Sequence, residues 1–220
     1  PDAHLVLVGS GPLEEALRQK VAQAGQTEHV HFLGPRSDVL QLLPYVQHRV
    51  LAPGAALALG VSLLGPGPVL RRPFDDYDAG DAMAEAAKAN SIALCWSRIE
   101  LCDDGLRRLV VYVVDADGRQ LLRYPRAHPA AIDPAETGGA WIAPGDGLAM
   151  VEVEGVPVGV IVCSELWVPE PTRVLALRGA QLVLSPAAGA FTTLTAHWQL
   201  IPRATAIENT MCVALTNNLW

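Results

Sequence analysis

The sequence predicts a layered α/β fold, and three observations lead there. Apolar, strand-like runs alternate with helix-forming segments along most of the chain. Half of the 220 residues are hydrophobic and only 18% are charged, which is enough apolar material for a sizeable core and excludes general disorder. The chain also opens on a strand–helix–strand unit of the doubly wound kind.

Residues 4–9 form a continuous apolar run closed by glycine, the pattern of a buried parallel strand. A helix is expected over 13–24, with Pro12 at its start, Leu13, Leu17 and Val21 four residues apart, and Gly25 as its stop. Residues 29–34 alternate as a second strand, and Ser37 and Asp38 suit the cap of a short helix ending at Leu43. The uncharged run 50–70 is long enough to cross a bilayer, but Pro53, Pro66, Pro68 and four glycines favour a buried strand followed by a loop. Beyond it, 82–90 is a strong helix former, and 91–96 reads as a strand. Strands at 109–114 and 120–124 flank the turn Asp115-Ala-Asp-Gly118 as a hairpin. A second strand pair is expected at 151–155 and 158–163. A helix over 171–179, a strand at 182–186, a helix over 198–209 and a strand at 211–216 follow.

The net charge of −7 argues against nucleic-acid and anionic-membrane partners, both of which are bound through basic patches. There are only two lysines, Lys20 and Lys88, so any mechanism that needs a lysine has few candidates. Cys95, Cys102, Cys163 and Cys212 form no CxxC pair and no Cys/His spacing of a zinc site, so no metal or cofactor is expected. Unpaired cysteines and the lack of a signal peptide suit a reducing cytoplasm.

Cys163 closes the most apolar strand-like run and is followed by the polar Ser164 and Glu165. The C-terminal end of a buried strand opens onto the crevice where α/β proteins place their chemistry, and a nearby helix N-terminus favours a thiolate. A packed, inert thiol is the competing reading. The surrounding residues are Gly159-Val-Ile-Val-Cys-Ser-Glu-Leu-Trp-Val-Pro-Glu170, Arg173 to Ala180 and Leu184-Ser-Pro186. With Arg203-Ala-Thr-Ala-Ile-Glu-Asn209, Val213 and Asn217, they resemble the nitrilase (carbon–nitrogen hydrolase) superfamily over residues 50–220. Asp115-Ala-Asp-Gly118, Tyr124, His128 and Pro144-Gly-Asp146 fit the segment before the nucleophile in the same order. Residues 1–47, with Gly9-Ser-Gly11 and Val30-His-Phe-Leu-Gly34, resemble a fragment of the donor-binding Rossmann domain of GT-B glycosyltransferases.

The main resemblance implies an αββα sandwich, here incomplete at both ends and preceded by the short Rossmann-like βαβ unit. It also implies a Cys–Glu–Lys triad acting on a small-molecule amide or nitrile through a thioester. Cys163 matches the nucleophile. Gly54 stands where the family has its general-base glutamate, and Arg126 where it has its lysine. Arg126 keeps the charge on a larger, planar group that is not interchangeable with an ammonium. Glu136 roughly matches a further active-site glutamate, and Glu165 and Glu100 are the other carboxylates in family-like positions. Tyr124, His128, Glu208 and Asn209 are expected as supports around the site, and Glu170 and Arg173 as an i,i+3 ion pair. Partner chains or further sequence would cover the open edges of an incomplete sandwich, and a homo-oligomer is expected. Three readings follow: an amidase- or nitrilase-like hydrolase, a catalytically inactive interaction module or truncated chimera on the same fold, and a glycosyltransferase fragment.

Overall fold

A computed structural model describes residues 5–7, 14–32, 57–59, 80–129, 142–187 and 195–216. The opening unit is β1 (Leu5–Leu7), α1 (Glu14–Gln23) and β2 (Val30–Phe32), with β1 and β2 paired in parallel as a βαβ connection requires. Leu17 and Val21 are half-buried on α1, as their spacing predicts, together with Glu14 at its start. Its outer surface carries a Glu14–Arg18 pair, and the Arg18 guanidinium lies over the Phe32 ring. The expected helix ending at Leu43 lies outside the described residues.

The rest of the described chain forms two four-stranded sheets. The first contains β3 (Leu57–Leu59), β4 (Ala93–Leu101), β5 (Arg107–Val114) and β6 (Gln120–Pro125) in that order, with β3 parallel to β4 and the others antiparallel. The second orders β10 (Cys212–Thr216), β9 (Leu182–Pro186), β8 (Val156–Val160) and β7 (Ala149–Val153). Here β8, β9 and β10 run parallel and β7–β8 is a hairpin. The hairpin turns on Glu154 and Gly155, both at positive φ (49° and 78°), the conformation that matches the twist of a two-residue connection.

Side chains alternate along these strands, and the alternation builds three apolar layers. Ala93, Cys95, Ile99, Leu109, Val111, Val113, Leu122 and Tyr124 of the first sheet face Val153, Val158, Val160 and Leu184 of the second, with Val162 just past β8. On its other face the first sheet packs Leu94, Trp96, Val110, Tyr112 and Val114 under α2 (Gly80–Asn90), which contributes Met83 and Ala87. The second sheet packs Ile161 and Val183 under α3 (Pro169–Leu177) and α4 (Thr195–Asn209). The order is therefore helix, sheet, sheet, helix: the αββα sandwich.

Two element boundaries differ from the sequence reading in a way that bears on function. β4 runs on to Leu101, because Arg98 and Glu100 pair across to Val110 and Arg108 on β5 while Ile99 stays in the inter-sheet core. β8 ends at Val160, so Cys163 does not close the strand. It opens a separate 3₁₀ turn, Cys163–Trp167, that carries the chain into α3. None of the helices among the described residues is long and apolar enough to cross a membrane.

Candidate active site

The parallel strands β8 and β9 end side by side, with Val160 abreast of Leu184 and one further bond from Ile161 N–H to Leu184 O. Past that bond the backbone turns sharply. Cys163 adopts φ 52°, a left-handed conformation unusual for a residue with a Cβ, at a cost of roughly 1–2 kcal/mol. Its half-buried side chain borders the inter-sheet core. The other three cysteines sit differently. Cys95 is buried in the core, where desolvation pushes its thiol up to about 12. Cys102 is half-buried at the end of β4, and Cys212 is exposed.

Glu165 holds the turn in place. The residue is 1% exposed, yet every oxygen of its carboxylate is satisfied. Oε2 accepts the Val162 N–H at 2.6 Å, and the Glu165 N–H returns to Val162 O at 3.0 Å. Oε1 accepts the His128 N–H at 2.8 Å, and the Tyr124 hydroxyl lies 2.9 Å from Oε1 and 3.2 Å from Oε2. One carboxylate thus joins the cysteine turn of the second sheet to the segment after β6 of the first. Tyr124 is fully buried, and burial together with the adjacent Glu165 charge drives its phenol well above its ordinary range. Its oxygen also accepts the Ala127 N–H at 3.3 Å. A carboxylate bonded on both oxygens in this way clamps the turn to the other sheet.

Arg126 sits on the far side of the clamp and is 4% exposed. Its backbone is fixed on both sides: the N–H donates to Leu109 O, and the carbonyl accepts the Gly145 N–H, each at 2.8 Å. Its side chain donates from Nε to His128 O at 3.0 Å and from Nη2 to Ser164 Oγ at 2.6 Å. The guanidinium is therefore tied to the residue immediately after Cys163. Gly145 permits this approach, since a Cβ there would lie 2.3 Å from Pro125 O. Gly145→Ala is expected to destabilise the fold by about 1–3 kcal/mol through overpacking, read as a lower midpoint in urea unfolding.

The remaining candidates divide clearly. His128 is mostly exposed, with Nδ1 3.4 Å from Glu165 Oε1, so its backbone contributes more than its ring. Asn209 accepts Arg173 Nη1 at 3.3 Å and donates to Thr205 O, linking α3 to α4. The expected Glu170–Arg173 pair is replaced by this contact. Glu208 is exposed and makes no hydrogen bond or ion pair among the described residues, so it does not support the site as expected. Glu100 faces the α2 side of the first sheet, bonded to Arg123, Arg98 and the Tyr112 hydroxyl, and is excluded from the cysteine turn. Burial would raise its pKa, but the Arg123 and Tyr112 hydrogen bonds and the arginine charges outweigh that and lower it. Gly54 and Glu136 lie outside the described residues. Among the described residues no group of three His, Cys, Asp or Glu side chains is placed to hold a metal ion.

The model of the carbon–nitrogen hydrolase family matches residues 78–219, a span that includes both sheets from β4 onward, the cysteine turn, Arg126 and Glu165. The chain belongs to the carbon–nitrogen hydrolase family. Among curated members it is similar to omega-amidase NIT2 of Mus musculus, 30% identical over 153 residues, covering 64% of this chain and 55% of that protein. The Homo sapiens omega-amidase NIT2 is 32% identical over 138 residues, 60% of this chain and 49% of that protein. The chain spans about half the length of the curated relatives it matches. An amidase from Nesterenkonia sp., known from a crystal structure, superposes with a TM-score of 0.70 at 23% identity, over 99% of this chain and 77% of that one. That likeness is one of fold.

Within this carbon–nitrogen hydrolase fold, two contributors were not identified as site residues from sequence. Ser164 was visible only as a polar residue after the apolar run, and its role depends on Arg126 arriving from another sheet. Gly145 stands in a Pro-Gly-Asp segment, and nothing in the sequence reveals its close approach to Pro125.

Proposed function

We propose that this chain is the core of an amide hydrolase in which Cys163 is the nucleophile and Arg126 takes the place of the usual lysine. The observation that carries this reading is the pairing of a strained Cys163 (φ 52°) with a buried guanidinium bonded to the next residue. Backbone strain of this kind persists only where surrounding contacts fix it, and it clusters at functional sites. The omega-amidases among the curated relatives support a small-molecule amide as substrate.

In this reading the Cys163 thiolate attacks the amide carbon. A C–S bond forms while the carbonyl electron pair moves onto oxygen, and Arg126 offsets that charge. The C–N bond then breaks as the nitrogen takes a proton and departs as ammonia or an amine, leaving a thioester. Water attacks the thioester carbon, the C–S bond breaks, and the acid leaves with the thiol restored. Glu136 is assigned the proton transfers, since Gly54 has no titratable group and Glu165 is held as a clamp. With the family's glutamate position empty of a base, turnover is expected to fall by a factor on the order of 10²–10⁴.

The test is ammonia release from a panel of small primary amides, with hydroxylamine added to trap the thioester as a hydroxamate. Slow release with trapping at Cys163 is expected, and Glu136→Gln should reduce it further. A second reading, a non-hydrolysing interaction module on the same fold, draws on Gly54 and on the saturation of Glu165. It predicts neither ammonia nor hydroxamate across the panel.

A further inference from the structure

We propose that Ser164 is a positioning residue that fixes the Arg126 guanidinium relative to the Cys163 sulfur. The inference rests on the reading of Cys163 as nucleophile and Arg126 as its neighbouring cation. Arginine has a long, rotatable stem, so a fixed backbone alone does not fix its charge. Here the backbone of Arg126 is set by Leu109 and Gly145, and the planar head donates to the His128 carbonyl and to Ser164 Oγ. The two differ in what they report. The His128 carbonyl lies only two residues along the same segment, so it constrains Arg126 within its own loop. Ser164 belongs to the opposite sheet's turn and directly follows Cys163.

Consecutive Cα atoms stand about 3.8 Å apart, so the hydroxyl ties the cation to a point one residue from the thiol. Because Cys163 is held at φ 52° and Glu165 clamps the turn from the other side, thiol, hydroxyl and carboxylate share one rigid segment. The 2.6 Å Nη2–Oγ contact carries the position of the charge into that segment. A cation within reach favours the thiolate over the thiol, and the gain falls quickly as the charge swings away. Ser164 is thus matched to the arginine: a short hydroxyl leaves room for a guanidinium and supplies the acceptor that orients it.

The experiment measures alkylation of Cys163 by iodoacetamide against pH in the full chain, by peptide mass spectrometry, with Cys102 and Cys212 as internal references. Ser164→Ala is expected to raise the apparent Cys163 pKa by about one unit, which slows labelling near neutral pH about tenfold. Ser164→Thr, which keeps the hydroxyl, should restore the wild-type profile. Arg126→Gln should raise the same pKa by at least as much. If Ser164→Ala leaves the profile unchanged while Arg126→Gln shifts it, the role of Ser164 is overturned and that of Arg126 stands. If neither variant shifts it, the Arg126 reading itself falls. A loss of thermal stability without a pKa shift would mean that Ser164 is only structural, and Ser164→Gly gives a second truncation if the alanine variant does not fold.

Discussion

Cys163→Ala is expected to abolish amide turnover, by on the order of 10⁴-fold or more, since the covalent route loses its thiolate. The same change should barely alter the stability of the fold, because the side chain is half-buried at the rim of the inter-sheet core. Stability is informative when alanine is compared with glycine. Alanine at φ 52° retains the left-handed strain, whereas glycine adopts that conformation readily. Cys163→Gly should therefore be more stable than Cys163→Ala by about 1 kcal/mol, after the greater chain entropy of glycine is deducted. Urea unfolding of the two variants measures the difference. A glycine variant that is less stable than alanine would show that the turn does not store strain at this residue.

Glu165→Ala should have the largest effect on stability. The substitution strips the acceptors from the Val162 and His128 N–H groups and from the Tyr124 hydroxyl. Buried donors left without partners cost about 1–3 kcal/mol each, so a loss of about 3–5 kcal/mol is expected, part of it recovered by local relaxation. Glu165→Gln keeps the shape but presents an NH₂ group to donors, so it should cost less, about 1–3 kcal/mol. The pair also separates clamp from base. If Glu165 acted as general base, the glutamine variant would lose turnover far out of proportion to its loss of stability. As a clamp, the folded glutamine variant should keep its Cys163 labelling rate to within a few-fold. Chemical denaturation and alkylation kinetics on the same preparation decide between the two.

Much of the fold was legible because periodicity and turn chemistry are local properties. The β5–β6 hairpin was marked by Asp115-Ala-Asp-Gly118, where Asp115 accepts the Asp117 and Arg119 N–H groups and Gly118 takes φ 80°. β9 matched its apolar run at both ends. What failed was set by tertiary partners. β4 outran its apolar stretch because Arg98 and Glu100 are accepted on the α2 side, where Arg123 and Tyr112 partner the carboxylate. β8 fell short of Cys163 because Glu165, two residues further on, captures the Val162 N–H and bends the chain, although Ile161 and Val162 are as apolar as the strand itself.

The site divides in the same way. Cys163, Glu165, Tyr124 and Arg126 were all named from the sequence, and the structure brings the last three together around the cysteine turn. Their division of labour could not be read there. The sequence puts Glu136 first and offers Glu165 and Glu100 as further carboxylates, and only burial and bonding separate the clamp Glu165 from Glu100 in its surface-side arginine network. Glu208 and Asn209 are adjacent in sequence but face different ways on α4, so one reaches α3 and the other faces solvent.

The most direct test of the central claim is competitive alkylation of the intact chain by limiting iodoacetamide at neutral pH, resolved by site. An activated nucleophile at Cys163 should label at least about tenfold faster than Cys102 and Cys212, as a thiol pKa lowered by a unit or more requires. Cys95, buried and pushed up to about 12, should stay unmodified while the protein is folded. If Cys163 labels no faster than Cys102 and Cys212, the thiol is not activated and the hydrolase reading of this site is wrong.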